Sequence, residues 1–546
     1  MMSRFIVADG PGFQGFFADF NTTFWSGVLR MTEAMVAAAP FLLAGLFVAG
    51  ALRGMVGPER IRRLLGVGEW SGPLRAWGLG VLLPICSLGA LPVARELRRA
   101  GVPSGTVLSF VLVAPVLNPV SVIYGLSHIV PATLLYFAAG TFAVSVGIGV
   151  IWNRLVSSKR DTDGGVQEAP PHSGVGRLAV AGHTAARSLV GPVFVDYALA
   201  LLTVGLLGAL LPHGVLQTGM TRDNFLAPVI MGLVAIPAYV TPTNVMMHFG
   251  HIVQDGYSLG AAFSLIVLGA GANVGVANWL RRDYGGKPLM LFVGLLLAST
   301  IVIGVTADRT IVHGNSDMKD HTHAFDPFTR VAGVATSDAN LAWVWTQIER
   351  QMHMHEAVGA VLLALMAVAG IVLWLLRDRV GVEHLMRDPN DVPEPAPSSV
   401  WNPVLSFRQL VAAGVFSVAG LAMCGLYVFY PSAENLISDM NDIRVDAYDA
   451  VKAEDAQESQ RRLAQWRNLA QKLPTSVLIR RGSVTKEERE QVDELLYGID
   501  VLEDYAATDR FTEARAMISF VERVYSDCRR EINTQRASKP FAAAAE

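Results

Sequence analysis

The sequence predicts an all-α integral membrane protein: an inverted repeat with two re-entrant, broken helical hairpins, followed by a C-terminal soluble helical domain. Three observations predict it. Of 546 residues, 52% are hydrophobic and 17% charged, where soluble domains carry about 25% charged residues. Eight apolar stretches reach the roughly 20 residues that a bilayer-spanning helix needs. Two further stretches are interrupted by proline and glycine, and the basic residues around them fit only if each dips in and leaves on one side.

The eight full spans expected are 31–52, 104–124, 131–152, 192–211, 258–280, 288–306, 356–376 and 408–430. The interrupted stretches are 76–94, with Pro84, Gly89 and Pro92, and 225–247, with Pro228, Pro237 and Pro242. Proline and glycine free backbone groups, which membranes tolerate only against protein or a wet cavity. The N-terminus shows no basic segment, apolar core and small-residue cleavage site in series, so the first apolar helix reads as an anchor.

Charge sets the expected orientation. Arg53, Arg60, Arg62, Arg63 and Arg75 follow the first span; Arg154, Lys159, Arg160, Arg177 and Arg187 lie in the linker. Arg281, Arg282 and Lys287 precede the span at 288–306, and Arg377, Arg379, Arg387 and Arg408 lie between the last two spans. All four groups belong in the cytoplasm by the positive-inside rule, and that parity makes the first hairpin enter from inside and the second from outside. A duplication supports it: Gly101, Gly105, Ser109 and Asn118 match Gly256, Gly260, Ser264 and Asn273 at one constant offset. Pro84-Ile85-Cys86 and Pro237-Ala238-Tyr239 are the expected centres of the interrupted segments.

The stretch PICSLGALPVARELRRAGVPSGTVLSFVLVAPVLNP resembles the first signature of the ArsP-like predicted permease family, and IPAYVTPTNVMMHFGHIVQDGYSLGAAFSLIVLGAGAN resembles its second. The resemblance covers about residues 30–306. It implies a transporter of the family linked to efflux of trivalent organic arsenicals. The family's first signature reads P-x-C-S-C-G, and its second often has a cysteine before Pro-Thr. Here Cys86 is kept, Leu88 stands where the second thiol is expected, and Thr241 replaces the third.

Inverted repeats with broken helices place substrate near the midplane, where half-helix ends converge. The candidate substrate contacts are Cys86, Ser87 and Gly89 at the first tip, and Thr241, Pro242, Thr243 and Asn244 at the second. Read structurally, the same small and hydroxylated residues permit close helix packing and satisfy local carbonyls. Asn118 and Asn273 are buried amides at equivalent positions, readable as solute ligands or as clamps that cap the broken helices. Glu33, three residues after Arg30, and Asp196 are expected at the interface.

The loop at 307–355 is the candidate ligand set for a divalent transition metal: His313, His321, His323, Asp326, His353 and His355, nitrogen and oxygen donors that suit zinc, copper or nickel. Alternating histidines share a face only in an extended chain, and a solvated loop is the other reading. No cofactor is otherwise indicated. Cys86, Cys424 and Cys528 form no CxxC pair, so no disulfide framework or zinc ribbon is expected.

Residues 431–546 change character. They are charged, with amphipathic helices expected at 434–472, 485–506 and 510–534, broken at Leu473-Pro474 and at Arg481-Gly482-Ser483 before an N-cap-like Thr485. The resulting divisions are a first membrane repeat (1–153), a cytoplasmic linker (154–190) with disorder expected at 157–176, and a second repeat (191–306). The His-rich outer loop (307–355), two further spans (356–430, with a Pro-rich connector at 388–400) and the outer helical domain (431–546) follow.

The net charge of −3 gives no support for nucleic-acid binding. No P-loop, dinucleotide fingerprint or Ser-His-Asp spacing appears, so the chain reads as a non-enzyme. The expectation is a secondary permease of the cell (inner) membrane, multi-pass, exporting a small metal, metalloid or organic solute. Its partners would be the bilayer, the solute and a periplasmic or extracellular protein for 431–546, with homo-oligomers left open. The alternative is a membrane-anchored metal-binding or sensor protein working through the histidine loop and the outer domain.

Overall fold

The computed structural model describes residues 12–65, 70–156, 175–191, 193–212, 214–311, 324–331, 339–376 and 405–537. Their regular structure is helical; one isolated bridge joins Thr221 to Tyr257. Six helices are long and apolar enough to cross a membrane, and a seventh span arises if a bent pair counts as one. Several keep apolar side chains outside: in the best windows of Met354–Leu375 and Phe407–Phe429 only 11% and 6% of residues are buried. Water would not tolerate such surfaces; lipid does. The protein is a multi-pass, all-α membrane protein.

The first unit, Met1–Val312 with Ser316–Ala419, opens with α1 (Gly12–Ala51), which ends in a π turn at Leu52–Val56. Then come α2 (Pro58–Leu65), α3 (Ser71–Leu82), α4 (Ser87–Arg99), α5 (Ser104–Val113), α6 (Pro119–His128) and α7 (Pro131–Leu155). The second half holds α8 (Val175–Val190), α9 (Val193–Leu210), α10 (Val215–Gly219), α11 (Ala227–Ala235), α12 (Pro242–Gln254), α13 (Leu259–Ser264), α14 (Val274–Tyr284) and α15 (Gly286–Thr310).

Two of the eight expected full spans are therefore broken. The stretch 104–124 divides into α5 and α6 at Asn118. The stretch 258–280 runs from α13 through π turns at Leu265–Gly271 and bends by 54° into α14. The reason is local: Asn118 and Asn273 hold extended dihedrals (ψ 169° and 179°) while their side chains start new helices, and Pro119 offers no N–H to continue α5. Part of the expected linker is also ordered, since α8 packs on α1. Cβ atoms at Gly50 and Gly54 would collide with the carbonyls of Ala181 and Arg177. Residues 157–174 and the connector at 388–400 lie outside the described residues.

The repeat reappears as contacts. Helices α4 and α12 start 155 residues apart, as do α5 and α13, α6 and α14, and α7 and α15. The Gly105 amide donates to Asn153 Oδ1 at 2.8 Å, and the Gly260 amide donates to Asp308 Oδ1 at 3.1 Å, the same pair 155 residues on. Gly101 and Gly256 both turn through left-handed φ, 79° and 82°, where a side chain would be strained. At this offset Cys86 aligns with Thr241. Aligning Pro84-Ile85-Cys86 with Pro237-Ala238-Tyr239, at an offset of 153, misplaces the break by two residues. Helices α3, α5 and α7 pack together, as do α11, α13 and α15, and the halves interlock through α4 on α14 and α12 on α6. Phe137 of α7 fills the joint, 4.7 Å from Phe249 and 5.1 Å from Phe263 between ring centres.

Helices α16 (Leu341–Gln351), α17 (Met354–Leu375) and α18 (Phe407–Phe429) follow. The second unit, Gly420–Glu546 with His313–Asn315, holds four helices: α19 (Ala433–Lys452), α20 (Ala456–Arg481), α21 (Lys486–Ala507) and α22 (Phe511–Ala537). The expected break at Leu473-Pro474 is absent. The chain turns instead at Glu454 (φ 60°), and Asp455 caps the amide of Glu458. Pro474 removes one helical hydrogen bond, but Leu473, Ser476 and Val477 around it are buried, and Ser476 Oγ donates to the Pro431 carbonyl. Gly482 (φ 79°) ends α20 and Thr485 begins α21 with a reciprocal capping box to Glu488, both where the sequence places them. Trp466 lies at the centre, its ring 5.6 Å from Tyr448 and 5.9 Å from Tyr525.

Two outcomes follow. Gly45→Ala would drive a Cβ into the Gly89 carbonyl on α4. We expect a loss of about 1–3 kcal/mol, read as a lower thermal midpoint in detergent, while Gly147→Ala, with open space around it, changes little. Burial pushes the Glu488 carboxyl up, but hydrogen bonds from Arg481 and the Thr485 amide outweigh burial and hold it below its ordinary 4.5. A depressed folded value stabilises above 4.5 and is lost as pH falls below it. Amide protection factors in α20 and α21, which remove the intrinsic pH dependence of exchange, should therefore fall on acidification, and Glu488→Gln should flatten that response.

Candidate functional site

Four helices of the first unit, α4, α6, α12 and α14, begin at breaks in the chain, and each must satisfy amides that have no helical partner. Cys86 Sγ accepts from the Gly89 amide at 3.3 Å, and Thr241 Oγ1 accepts from the Asn244 amide at 3.4 Å. Asn118 Oδ1 accepts from the Ser121 amide at 2.9 Å. Asn273 Oδ1 accepts from the amides of Gly275 and Val276 at 3.1 and 3.3 Å. These caps are then bonded to one another. Asn118 Nδ2 donates to the Ile85 carbonyl (3.4 Å), Asn273 Nδ2 donates to Ser87 Oγ (2.6 Å), and Ser121 Oγ donates to the Pro242 carbonyl (3.4 Å). Breaks from both halves thus meet at one buried locus, where the positive ends of four short helix dipoles converge. Cys86, Ser87, Asn118 and Asn273 are all fully buried there.

A cavity of about 470 Å³ lies beside the second tip. Its walls include Arg30 and Glu33 of α1, Tyr239 and Thr241 of the tip, and Asn244 and His248 of α12. Residues 324–331 border it, tied down by α1: Arg30 donates to the carbonyls of Asp326 (2.7 Å) and Thr329 (3.2 Å) and pairs with Glu33 at 3.0 Å. The Val331 amide donates to Ser26 Oγ at 3.0 Å. Phe328 of this segment sets its ring edgewise, 5.9 Å from that of His248. Three buried polar atoms on the wall lack a hydrogen-bond partner among the described residues: Glu33 Oε1, Tyr239 OH and His248 Nδ1. Each such atom costs about 1–3 kcal/mol when left unpaired.

Of the sequence-predicted substrate contacts, the structure brings Thr241 and Asn244 to the cavity. Cys86, Ser87, Asn118 and Asn273 stay in the capped locus behind it. Gly89 packs against α1, where a Cβ would strike the Phe41 carbonyl. Pro242 opens α12, and Thr243 Oγ1 lies 3.3 Å from Thr241 Oγ1. Tyr239 stands between the two regions: its side chain interacts with the Cys86 thiol without full hydrogen-bond geometry.

Of the predicted metal ligands, Asp326 and His353 reach the cavity wall. The rings of His353 and His355 are 5.6 Å apart, and His353 faces Glu356 at 3.5 Å. Among the described residues no three His, Cys, Asp or Glu side chains cluster as a metal would require. His313, His321 and His323 lie outside the described residues. Glu33 forms the expected pair with Arg30. Asp196, expected at the interface, is buried against protein: Arg282 donates to both its oxygens (2.9 and 3.2 Å) and Asn278 donates at 2.7 Å, so its charge is neutralised in place.

The residues missed by sequence reasoning are Tyr239 and His248. A signal existed: Thr241, Asn244 and His248 fall at i, i+3 and i+7 of α12, one face of a helix. It becomes readable only once Pro242 is recognised as the first residue of that helix.

The sequence pattern of an ArsP-type family, described as a predicted permease, matches residues 25–308, just over half of the chain. This chain belongs to that predicted permease family. The match spans both halves of the repeat and all four helix breaks. The chain is 34% identical over 86 residues to UPF0718 protein YcgR of Bacillus subtilis, covering 16% of this chain and 29% of that protein. It is 23% identical over 124 residues to a Streptococcus mutans protein whose name describes a two-component membrane permease complex subunit, covering 22% of this chain and 41% of that protein. The chain thus spans less than half the length of either relative. No solved structure matches it.

Replacing Asn273 by alanine removes a double cap and the bond to Ser87 together. We expect Asn273→Ala to cost about 1–3 kcal/mol, and Asn118→Ala a similar amount. Both should appear as lower unfolding midpoints in detergent without loss of helical signal.

Proposed function

We propose that this permease is a secondary carrier that exports a small solute, a metal, metalloid or organic molecule, through a site formed where its two broken-helix tips meet. The observation that carries this reading is the hydrogen-bonded meeting of four half-helices next to an open cavity. Helix breaks are costly in a membrane, and carriers built from repeats use them at the substrate site. With the four basic clusters in the cytoplasm, the first hairpin dips from inside and the second from outside. The cavity then faces the outer side, and the second unit lies on that side, in an inner membrane.

The coupling energy would come from an ion gradient or a partner protein. The naming of the Streptococcus mutans relative as a complex subunit favours a protein partner, and the second unit is the segment we assign to it. The metal-sensor alternative is less favoured, because the described histidines assemble no three-ligand group.

The test is accumulation of a solute panel (metal cations, oxyanions, arsenous acid and neutral organic solutes) in cells with and without the protein. We expect at least one member to be depleted by the intact protein, with the depletion reduced at least tenfold by Asn244→Leu. A panel unmoved by the protein would refute the carrier reading.

A further inference from the structure

Resting on the carrier reading, we infer that the polar face of α12 is the solute-binding surface of the outward cavity, with Asn244 and His248 as contacts and a small, uncharged, hydroxyl-bearing molecule as ligand. The internal repeat supplies the first argument. The residues 155 positions before Thr241, Asn244 and His248 are Cys86, Gly89 and Val93, all buried. There Gly89 is pressed against α1, leaving no room for a side chain. The same helix position in the same packing frame therefore folds without a polar face. The polarity of α12 is not demanded by the architecture; it belongs to the cavity.

The second argument is the unpaired chemistry. His248 is 5% exposed, borders the cavity and leaves Nδ1 without a partner. Glu33 presents an unpartnered Oε1 on the same wall. Asn244 adds an amide side chain, able to donate and to accept. A hydroxyl group also donates and accepts, so it matches such a wall without bringing charge.

Charge and softness argue against the other classes. Arg30 is committed to Glu33 and to two backbone carbonyls, so it offers an anion little. Glu356 accepts from the His353 amide at 2.9 Å, and no three-ligand set awaits a cation among the described residues. The Cys86 thiol, the group a thiophilic solute would seek, is fully buried as a helix cap behind Tyr239.

The experiment uses the full-length protein in vesicles and stopped-flow light scattering, with glycerol and boric acid as neutral hydroxylated probes. Phosphate and zinc stand for the anionic and cationic classes, and arsenous acid, neutral and hydroxylated but also thiophilic, separates entry that depends on Cys86 from entry that depends on His248. We expect entry of glycerol or boric acid above the rate in protein-free vesicles, lowered at least tenfold by His248→Phe and by Asn244→Leu. Gly147→Ala should match the wild type, and unchanged unfolding midpoints would show that the slow variants are folded. Should the variants unfold, equilibrium binding of the same two neutral probes to wild-type protein replaces them. Binding lost on diethyl pyrocarbonate modification of histidine supports the inference, and binding indifferent to that modification overturns it. Entry of phosphate or zinc without either neutral probe would overturn the ligand class and leave the carrier reading standing. So would arsenous acid entry that needs Cys86 and ignores His248. Movement of no probe would overturn both.

Discussion

Every backbone amide at membrane depth needs a partner inside the protein, because lipid supplies none. This chain breaks four helices inside the first unit, which is organised around satisfying the exposed amides. Cys86, Asn118, Thr241 and Asn273 answer one requirement with three kinds of group, a thiol, a hydroxyl and two amides, each accepting from the first turn of the helix it starts. The caps serve twice, since both asparagines also donate across to the first tip. Cost and cohesion thus fall on the same atoms. The breaks would be a weakness if isolated, and become the joint between the halves because they are capped by groups that can bond in two directions.

The repeat shows what is architecture and what is not. Close approach at Gly105 and Gly149 recurs at Gly260 and Gly304, and the side chain that receives the glycine amide recurs as Asn153 and Asp308. These positions are held by packing and by backbone hydrogen bonds, so both copies keep them. The tips have diverged. One carries Cys86 and Gly89 and closes against α1; the other carries Thr241 and Asn244 and faces a cavity. Divergence at matched positions, against a background of shared contacts, is where chemistry separates from fold.

Much of this was legible in the sequence. Hydropathy and basic residues are enough to place long helices, and a constant offset between glycines and asparagines reveals the duplication. The breaks within 104–124 and 258–280 were hidden because hydropathy does not change across them; only Asn-Pro and the paired glycines mark them. The ion pair of Asp196 was not read because its partner, Arg282, is 86 residues away, and no local pattern announces such a pair. The turn at Glu454 was missed for a related reason: Pro474 is the stronger local signal, but burial around it overrides that signal. Thr485 and Gly482, whose meaning is wholly local, were read correctly. His248 carries no motif; only the cavity shows its importance.

The bond between Asn273 and Ser87 spans 186 residues of sequence, and this has a consequence for biosynthesis. A ribosome delivers the first tip long before the amide that completes it exists. Asp196 meets the same delay, since its partner Arg282 is made 86 residues later. Until Asn273 has been made, Ser87 lacks the donor it has in the folded protein, so the first tip is complete only once the second half has been synthesised.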